Sequence, residues 1–494
     1  MFKRILIANR GEIATRIVRA CRELGVESVA LFTASDQSSL HVRLADYGVQ
    51  LSTARAFTDA AAIVQIAREQ GADAIHPGYG FLAGRPELVA ACSEAGITFI
   101  GPSAETASAV RDKVGALERV RAAGITTIQH SPAAYNPKEE TALIEAADAL
   151  GYPLIIKSKL GGRGYGQRMV TRPAGLIQMT RQARIEASAV YGDVDIYLEK
   201  VIQPAHQISV QVLGDHHGHL IHLGEREGSI IQRNQKILEE SPAPCLTDTQ
   251  RRGLWETALQ VARLFHCTNA CSVEFLADTE GNCYFTEVKP RIQVAHLLTE
   301  MVCQVDLVRE QIRLAAGEPL NLSQAEVTPR GWAMVGCVHA KDPAGDGLLP
   351  SPGCLTSVRF PLGAGVRVDT YVYCQADVPA DFDSLIAKVA AWGPNRAECL
   401  ARLTAALRDT RLAGIPVNLS LLREVTQATP FIQGAYATDF FRHRQAIPLQ
   451  SEEYYRDLAA IVALLHLRRN QMFVPALPER LGGQWHRSSR QLPQ

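Results

Sequence analysis

The sequence predicts an α/β protein that begins with a doubly wound parallel sheet, and two observations carry that reading. Over the first hundred residues, apolar runs of strand length alternate with segments of helical periodicity. That pattern belongs to parallel strands joined by crossover helices. Two of the runs end in Gly-containing loops, His76-Pro77-Gly78-Tyr79-Gly80 and Gly101-Pro102, and ligands of such sheets bind at the carboxyl ends of strands.

Taken in order, Ile5-Leu6-Ile7 is a buried strand, and Ile13, Ile17, Ala20, Cys21 and Leu24 then recur at helical spacing. Residues 28–33 read as the next strand, 60–70 as a helix, and 74–75 and 97–100 as two more strands. A smaller unit follows from about residue 124 to 202. It holds a strand at 152–157, a Gly-rich loop, a strand at 168–170, a helix at 174–190 and a strand at 196–200. Residues 208–213 and 219–223 read as an antiparallel pair across Gly214-Asp215-His216-His217-Gly218, a run of turn formers. A long helix covers 247–265, strands fall at 271–275 and 283–287, and a helix carrying Leu307, Ile312 and Ala315 closes that section. Strands recur at 331–341 and 366–373, and a helix at 397–407. Residues 452–469 read as an amphipathic helix with the apolar stripe Leu458, Ile461, Val462, Leu464 and Leu465. Residues 471–494, rich in Pro, Arg and Gln, are expected to fray.

Composition excludes several classes of function. Lys+Arg and Asp+Glu both number 51, so no bulk field recruits nucleic acid or an anionic membrane. No apolar run reaches the roughly 18 residues that would span a bilayer. Met1-Phe2-Lys3-Arg4-Ile5 runs into a strand without a signal-peptide h-region. The 11 cysteines are scattered singly with no CxxC pair, which fits a reducing cytoplasm better than a disulfide scaffold or a zinc site.

Two constellations carry chemistry. The stretch Lys157-Ser158-Lys159-Leu160-Gly161-Gly162-Arg163-Gly164-Tyr165-Gly166-Gln167 offers backbone N–H groups unobstructed by Cβ, flanked by cations, and such a loop wraps a phosphate. It is not a Walker A loop, and taken alone it reads equally as a flexible hairpin. Glu274 and Glu287 each sit in a strand among apolar or aromatic neighbours. Two acids facing one way from adjacent strands suit Mg²⁺ held between nucleotide phosphates.

A parallel sheet, an inserted lid with a Lys-ended strand and Gly loop, Tyr197-Leu198-Glu199-Lys200, and paired strand glutamates together describe the ATP-grasp arrangement. From Met1 to about Arg444 the chain resembles the biotin carboxylase family. The marks are Ile7-Ala8-Asn9-Arg10-Gly11-Glu12-Ile13-Ala14, His76-Pro77-Gly78-Tyr79-Gly80-Phe81-Leu82, Gln235-Lys236-Ile237-Leu238-Glu239-Glu240, Glu287 through His296, Leu349-Pro350-Ser351-Pro352-Gly353 and Asp383-Ser384-Leu385-Ile386. The resemblance implies an N-terminal α/β domain over 1–113 and a lid-containing ATP-grasp domain over 114–202. A C-terminal ATP-grasp and α+β domain would cover 203–446, with a helical extension and tail over 447–494. It also implies ATP, Mg²⁺ or Mn²⁺, and bicarbonate as ligands, with biotin presented on a separate carrier. Lys113 and Lys157 match lysines that contact ATP phosphates, with Gly161, Gly162, Gly164 and Gly166 as the phosphate loop. Glu199, Lys200 and Ile202 match the segment that holds adenine, and Glu274 and Glu287 match the metal carboxylates. Lys236, Arg291, Gln293 and Val294 match groups around bicarbonate, Lys236 and Arg291 being the catalytic positions that are kept.

The departures fall on the reacting atoms. The family reads Glu-Met-Asn-x-Arg-x-Gln-Val-Glu-His where this chain has Lys289 for the Asn and Ala295 for the second Glu. That Glu is the base which deprotonates bicarbonate, and a methyl accepts no proton. The arginine that stabilises the biotin enolate is here Cys337, which brings no positive charge. A lost base costs ~10²–10⁴ in rate and a lost anion partner ~10²–10³, so roughly 10⁴-fold or about 5 kcal/mol of barrier is expected. An ammonium at Lys289 is expected to pair with Glu274 and Glu287, either taking the place of one metal or blocking metal and nucleotide together, unless it swings to solvent.

Three functions follow from the resemblance. The first is a biotin carboxylase subunit of an acetyl-CoA or acyl-CoA carboxylase, working with a biotin carboxyl carrier protein and carboxyltransferase subunits, its own catalysis impaired. The second is a non-catalytic paralogue that scaffolds or regulates an active subunit; the third is an ATP-grasp ligase with another acceptor. Arg16, Arg19, Glu23 and Arg367 match positions at or near the family's dimer contact, so a homodimer and a heterodimer with an active paralogue are equally expected.

Overall fold

The computed structural model describes residues 1–160, 164, 166–192, 194–343, 349–443 and 452–472. The N-terminal sheet runs in the order Tyr47–Gln50, Glu27–Phe32, Arg4–Ile7, Ala74–His76, Thr98–Phe99, with every pair parallel. Four of these strands are where the apolar runs predict them. The fifth, Tyr47–Gln50, is a largely exposed edge and lacks the apolar run that would announce it. Strand order reverses between Arg4–Ile7 and Ala74–His76, the point at which such sheets open a crevice. Asn9 spans that point, its Nδ2 donating to the carbonyls of Pro77 and Tyr79 at 2.7 Å each. Gly78 has φ +59°, and a Cβ there would lie 3.0 Å from Asn9 Nδ2; glycine lets the two loops meet.

The lid is a three-stranded antiparallel sheet, Arg168–Val170, Leu154–Ser158 and Ile196–Lys200. Its core joins Leu154, Ile156 and Leu198 to Leu143 and Ala147 of the helix Glu140–Leu150 and Ala183 of the helix Leu176–Tyr191. Along the central strand, Leu154–Ser158, Leu154, Ile156 and Ser158 are buried while Ile155 and Lys157 are only half-buried. That alternation turns Lys157 away from the lid core.

The largest sheet has eight strands in the order Cys283–Lys289, Asn269–Ala277, His206–Gly214, Leu220–Gln232, Gln235–Ser241, Trp332–His339, Leu385–Gly393, Val366–Thr370. All its pairs are antiparallel. The helix Asp248–Leu264 covers one face, packing Leu254, Ala258 and Val261 over Ile208, Val210, Val273 and Phe275. The strand expected at 219–223 continues to Gln232 because Glu225, Arg226 and Glu227 are buried within it, and charges in mid-strand hide the apolar alternation. Lys388 disguises the strand Leu385–Gly393 in the same way.

Residues 443–494 form a separate unit. In it the helix Glu452–Met472 runs a little beyond the expected 452–469, and its described side chains, Leu458, Ile461, Val462, Leu464 and Leu465 included, are exposed. Residues 473–494 lie outside the described residues. No helix among the described residues is long and apolar enough to cross a membrane.

Candidate functional site

Glu274 and Glu287 pair directly in the register of adjacent antiparallel strands, so their side chains share a face. Lys289, two residues beyond Glu287, shares it as well. Its Nζ lies 2.8 Å from Glu274 Oε1 and 3.6 Å from Glu287 Oε1. Lys113 approaches Glu287 Oε2 at 3.5 Å from the start of the helix Lys113–Ala122. Lys236 stands 3.8 Å from Glu274 and 3.7 Å from Glu239. From the lid, Lys157 Nζ is 2.6 Å from Glu199 Oε2, while Tyr197 Oη donates to the other oxygen at 2.6 Å. Gln293 Nε2 donates to Glu274 Oε1 at 2.9 Å. Residues from six separate stretches of sequence thus converge on one charged cluster.

Electrostatics hold the cluster ionised. Burial works to raise the Glu287 carboxyl, but Lys113, Lys289 and Lys157 overcome it and hold it well below the usual carboxylate range. Burial likewise opposes ionisation of Glu274, and Lys289 and Lys236 outweigh it. For Lys289 and Lys157 burial disfavours the ammonium, yet Glu274 and Glu287 raise the first and Glu199 raises the second. The donor set fits a nucleotide with a divalent cation. Buried Glu274 and half-buried Glu287 face each other, and Lys289 already supplies one positive charge between them.

The other expected site residues are distributed as follows. Lys200 Nζ turns to the carbonyls of Gly151 and Tyr152, at 2.8 and 3.3 Å, and so caps the end of a lid helix. Ile202 is half-buried against the core beneath the large sheet. Arg291 donates to the carbonyl of Ile292 at 2.8 Å. The carbonyl of Val294 accepts from Lys388 at 3.3 Å. Gly164 and Gly166 have φ of +74° and +72°, and a Cβ on Gly166 would stand 2.6 Å from the carbonyl oxygen of Ala183. Gly161 and Gly162 lie outside the described residues.

The two replaced positions differ in their surroundings, apolar around Ala295 and partly charged around Cys337. Ala295, fully buried at the start of the helix His296–Cys303, packs with Leu297, Leu298, Val335 and Ala390. Cys337 is buried in register with Lys388, and burial pushes its thiol well up, so it stays neutral. Lys388 itself is a site residue that sequence reasoning missed. Its Nζ lies 3.1 Å from Glu12 and 3.7 Å from Asp369, and burial pushes Glu12 up to about 7 against the pull of Lys388. The signal was present: one lysine in the apolar run Leu385-Ile386-Ala387-Lys388-Val389-Ala390 requires a buried partner.

Family models match in three blocks. They are the biotin carboxylase N-terminal domain over residues 1–107, the carbamoyl-phosphate synthase L chain ATP-binding domain over 112–323 and the biotin carboxylase C-terminal domain over 338–443. A biotin carboxylase from Nostoc sp. is 40% identical over 442 residues, 89% of this chain and 98% of the relative. The chain belongs to the biotin carboxylase family. Biotin carboxylase 1 of Bacillus subtilis is 39% identical over 444 residues, covering 89% of this chain and 98% of the relative. Among solved structures, the biotin carboxylase domain dimer of Hydrogenobacter thermophilus 2-oxoglutarate carboxylase superposes with a TM-score of 0.87. It is 37% identical over 90% of this chain and 97% of that one, and it was solved with MgADP, ADP and bicarbonate.

Of the family's dimer-contact positions, Arg16 and Arg367 are engaged within this chain. Arg16 pairs with Glu300 and Asp306, and Arg367 with Glu300 at 2.6 Å and Asp369 at 2.9 Å. Arg19 and Glu23 are exposed on the helix Gly11–Glu23.

Proposed function

We propose that this chain is a biotin carboxylase-type subunit that binds ATP, one divalent cation and bicarbonate, and is impaired in carboxylating biotin by itself. The supporting observation is a contrast within one site. Lys113, Lys157, Lys236, Glu199, Glu274 and Glu287 make a complete charged cluster, while the family's base position is a methyl in an apolar cluster and its enolate partner a neutral thiol. In this reading Lys113 and Lys157 hold phosphates, Glu199, Lys200 and Ile202 border the adenine, and Glu274 and Glu287 hold the metal. Lys236, Arg291, Gln293 and Val294 surround bicarbonate. The metal, when bound, would shield the phosphate charge; the chain's own residues orient the nucleotide and exclude water.

A second reading rests on Ala295 and Cys337 together: a non-catalytic paralogue that pairs with an active biotin carboxylase in a complex with the carrier and carboxyltransferase. One assay separates the two. Bicarbonate-dependent ATP hydrolysis with free biotin is expected to run ~10⁴-fold below that of a family member with both groups. MgATP is expected to raise the melting temperature of the chain. Thermal stabilisation without any biotin-stimulated turnover supports the paralogue. Rapid transfer of labelled bicarbonate carbon to biotin by the purified chain overturns the impairment.

A further inference from the structure

The face of the large sheet turned away from the charged cluster holds a second group of chemically active side chains. His206 pairs with Ala277, three residues beyond Glu274 along that strand, and Glu227 pairs with Ile208. This parity puts His206 and Glu227 on the helix-covered face, opposite Glu274. Cys245, in the connection before the helix Asp248–Leu264, reaches the same point. One donor atom from each of His206, Glu227 and Cys245 lies within 4.8 Å of the other two.

Two buried carboxylates lie side by side here, and they are treated differently. Glu227 and Glu240 are paired across adjacent strands. Both oxygens of Glu240 are hydrogen-bonded, accepting two bonds from Arg396 at 2.9 Å, one from Tyr436 at 2.7 Å and one from Trp332 at 2.5 Å. Glu227 is completely buried too, yet His206 Nδ1 at 2.7 Å and Ser229 Oγ at 2.8 Å both meet its Oε1. Its buried Oε2 has no partner in good hydrogen-bond geometry; the nearest polar group is the Cys245 thiol, which burial and the Glu227 charge hold protonated. A carboxylate oxygen so weakly partnered in the interior is costly, and a cation shared with the neighbouring imidazole and thiol removes that cost.

We propose that His206, Glu227 and Cys245 form a binding site for a Zn²⁺-class divalent cation, separate from the nucleotide site and on the other face of the sheet. The donor set selects the metal. Imidazole and thiolate suit zinc, cobalt or cadmium and are poor ligands for the magnesium or calcium that all-oxygen sites hold. Ligands of tetrahedral zinc stand roughly 3.3–3.8 Å apart, so small side-chain shifts bring the three donors into range, with water as the fourth ligand. Binding replaces the thiol proton by a sulfur–metal bond and releases that proton to solvent, while His206 coordinates through whichever ring nitrogen lacks a proton, Nε2 when Nδ1 keeps its hydrogen bond to Glu227. Because the three ligands come from positions 206, 227 and 245 rather than from a closely spaced motif, a search for CxxC-type spacing passes over them.

The test is Co²⁺ titration of the full chain after chelator treatment, read by absorbance. One equivalent is expected to produce the near-ultraviolet thiolate-to-cobalt band, which Zn²⁺ abolishes by displacement. The band is expected to vanish in Cys245→Ser, and His206→Gln is expected to weaken Co²⁺ binding by about 100-fold or more. Zn²⁺ should also raise the melting temperature of the wild type but not of Cys245→Ser, whose metal-free melting temperature checks that it folds. Absence of a thiolate band, or a band and a thermal shift that survive Cys245→Ser, overturns the proposal.

Discussion

Lys289 sits 2.8 Å from a carboxylate that is 1% exposed, and this single side chain alters what the site requires of a metal. With the ammonium present, part of the negative charge of Glu274 and Glu287 is met without any ion. Lys289→Asn should therefore remove the nearest positive charge from Glu274, leaving Lys236 and Lys113 as the pair's cationic partners, and lower stability by about 1–3 kcal/mol in urea unfolding without metal. Millimolar Mg²⁺ should restore that loss in the variant and do little for the wild type. The pH sign follows from the same pairing. Glu274 and Glu287 are held below their ordinary values. Their stabilisation is fully present above the carboxylate range and lost as pH falls through it, so the difference between wild type and Lys289→Asn should shrink below about pH 4. At the two replaced positions, Ala295→Glu with Cys337→Arg should recover biotin-dependent ATP cleavage if the chemistry alone was lost. Ala295 is enclosed by Leu297, Leu298 and Val335, so the double variant should also melt lower, because a carboxyl is being introduced into an apolar pocket.

Among elements, the lid depends on close backbone approach. Gly166 combines a φ of +72° with a Cβ position 2.6 Å from the Ala183 carbonyl oxygen, so the turn before Arg168–Val170 can lie against the helix Leu176–Tyr191 only as glycine. Gly166→Ala should cost at least ~1 kcal/mol, and calorimetry should show weaker ATP binding with faster proteolysis in the lid. Elements with a clear apolar period are legible in the sequence: Arg4–Ile7, Arg168–Val170, Ile196–Lys200 and Asp248–Leu264 lie within a residue or so of expectation. Those that bury charge are not. The apolar pattern carries Leu220–Gln232 only to 223 and is interrupted by Lys388 in Leu385–Gly393, since Glu225, Arg226, Glu227 and Lys388 read locally as surface residues. Their partners come from remote positions, such as Gln211 and Thr299 for Arg226, at 2.9 and 2.8 Å, and a local window holds no trace of them.

For the molecule as a whole, assembly is the property most open to test. Of the four positions that match the family's dimer contact, Arg19 and Glu23 are exposed, whereas Arg16 and Arg367 are tied to Glu300, Asp306 and Asp369 inside the chain. Analytical ultracentrifugation of the purified chain is expected to show a dimer if it pairs with itself and a monomer if it pairs with an active paralogue. Arg19→Glu should dissociate the dimer without changing the melting temperature of the monomer, whereas Arg367→Ala should lower that temperature by breaking a buried network. Fold class, the family's charged residues and the loss of the two reactive groups were all readable from residue order, because periodicity and motif spacing are local properties of the chain. Whether Lys289 turns inward, which buried carboxylate has both oxygens hydrogen-bonded and which has only one, and which arginines are spent internally were decided only by the fold. Charge pairing depends on distance in space, and strands far apart in sequence supply the partners.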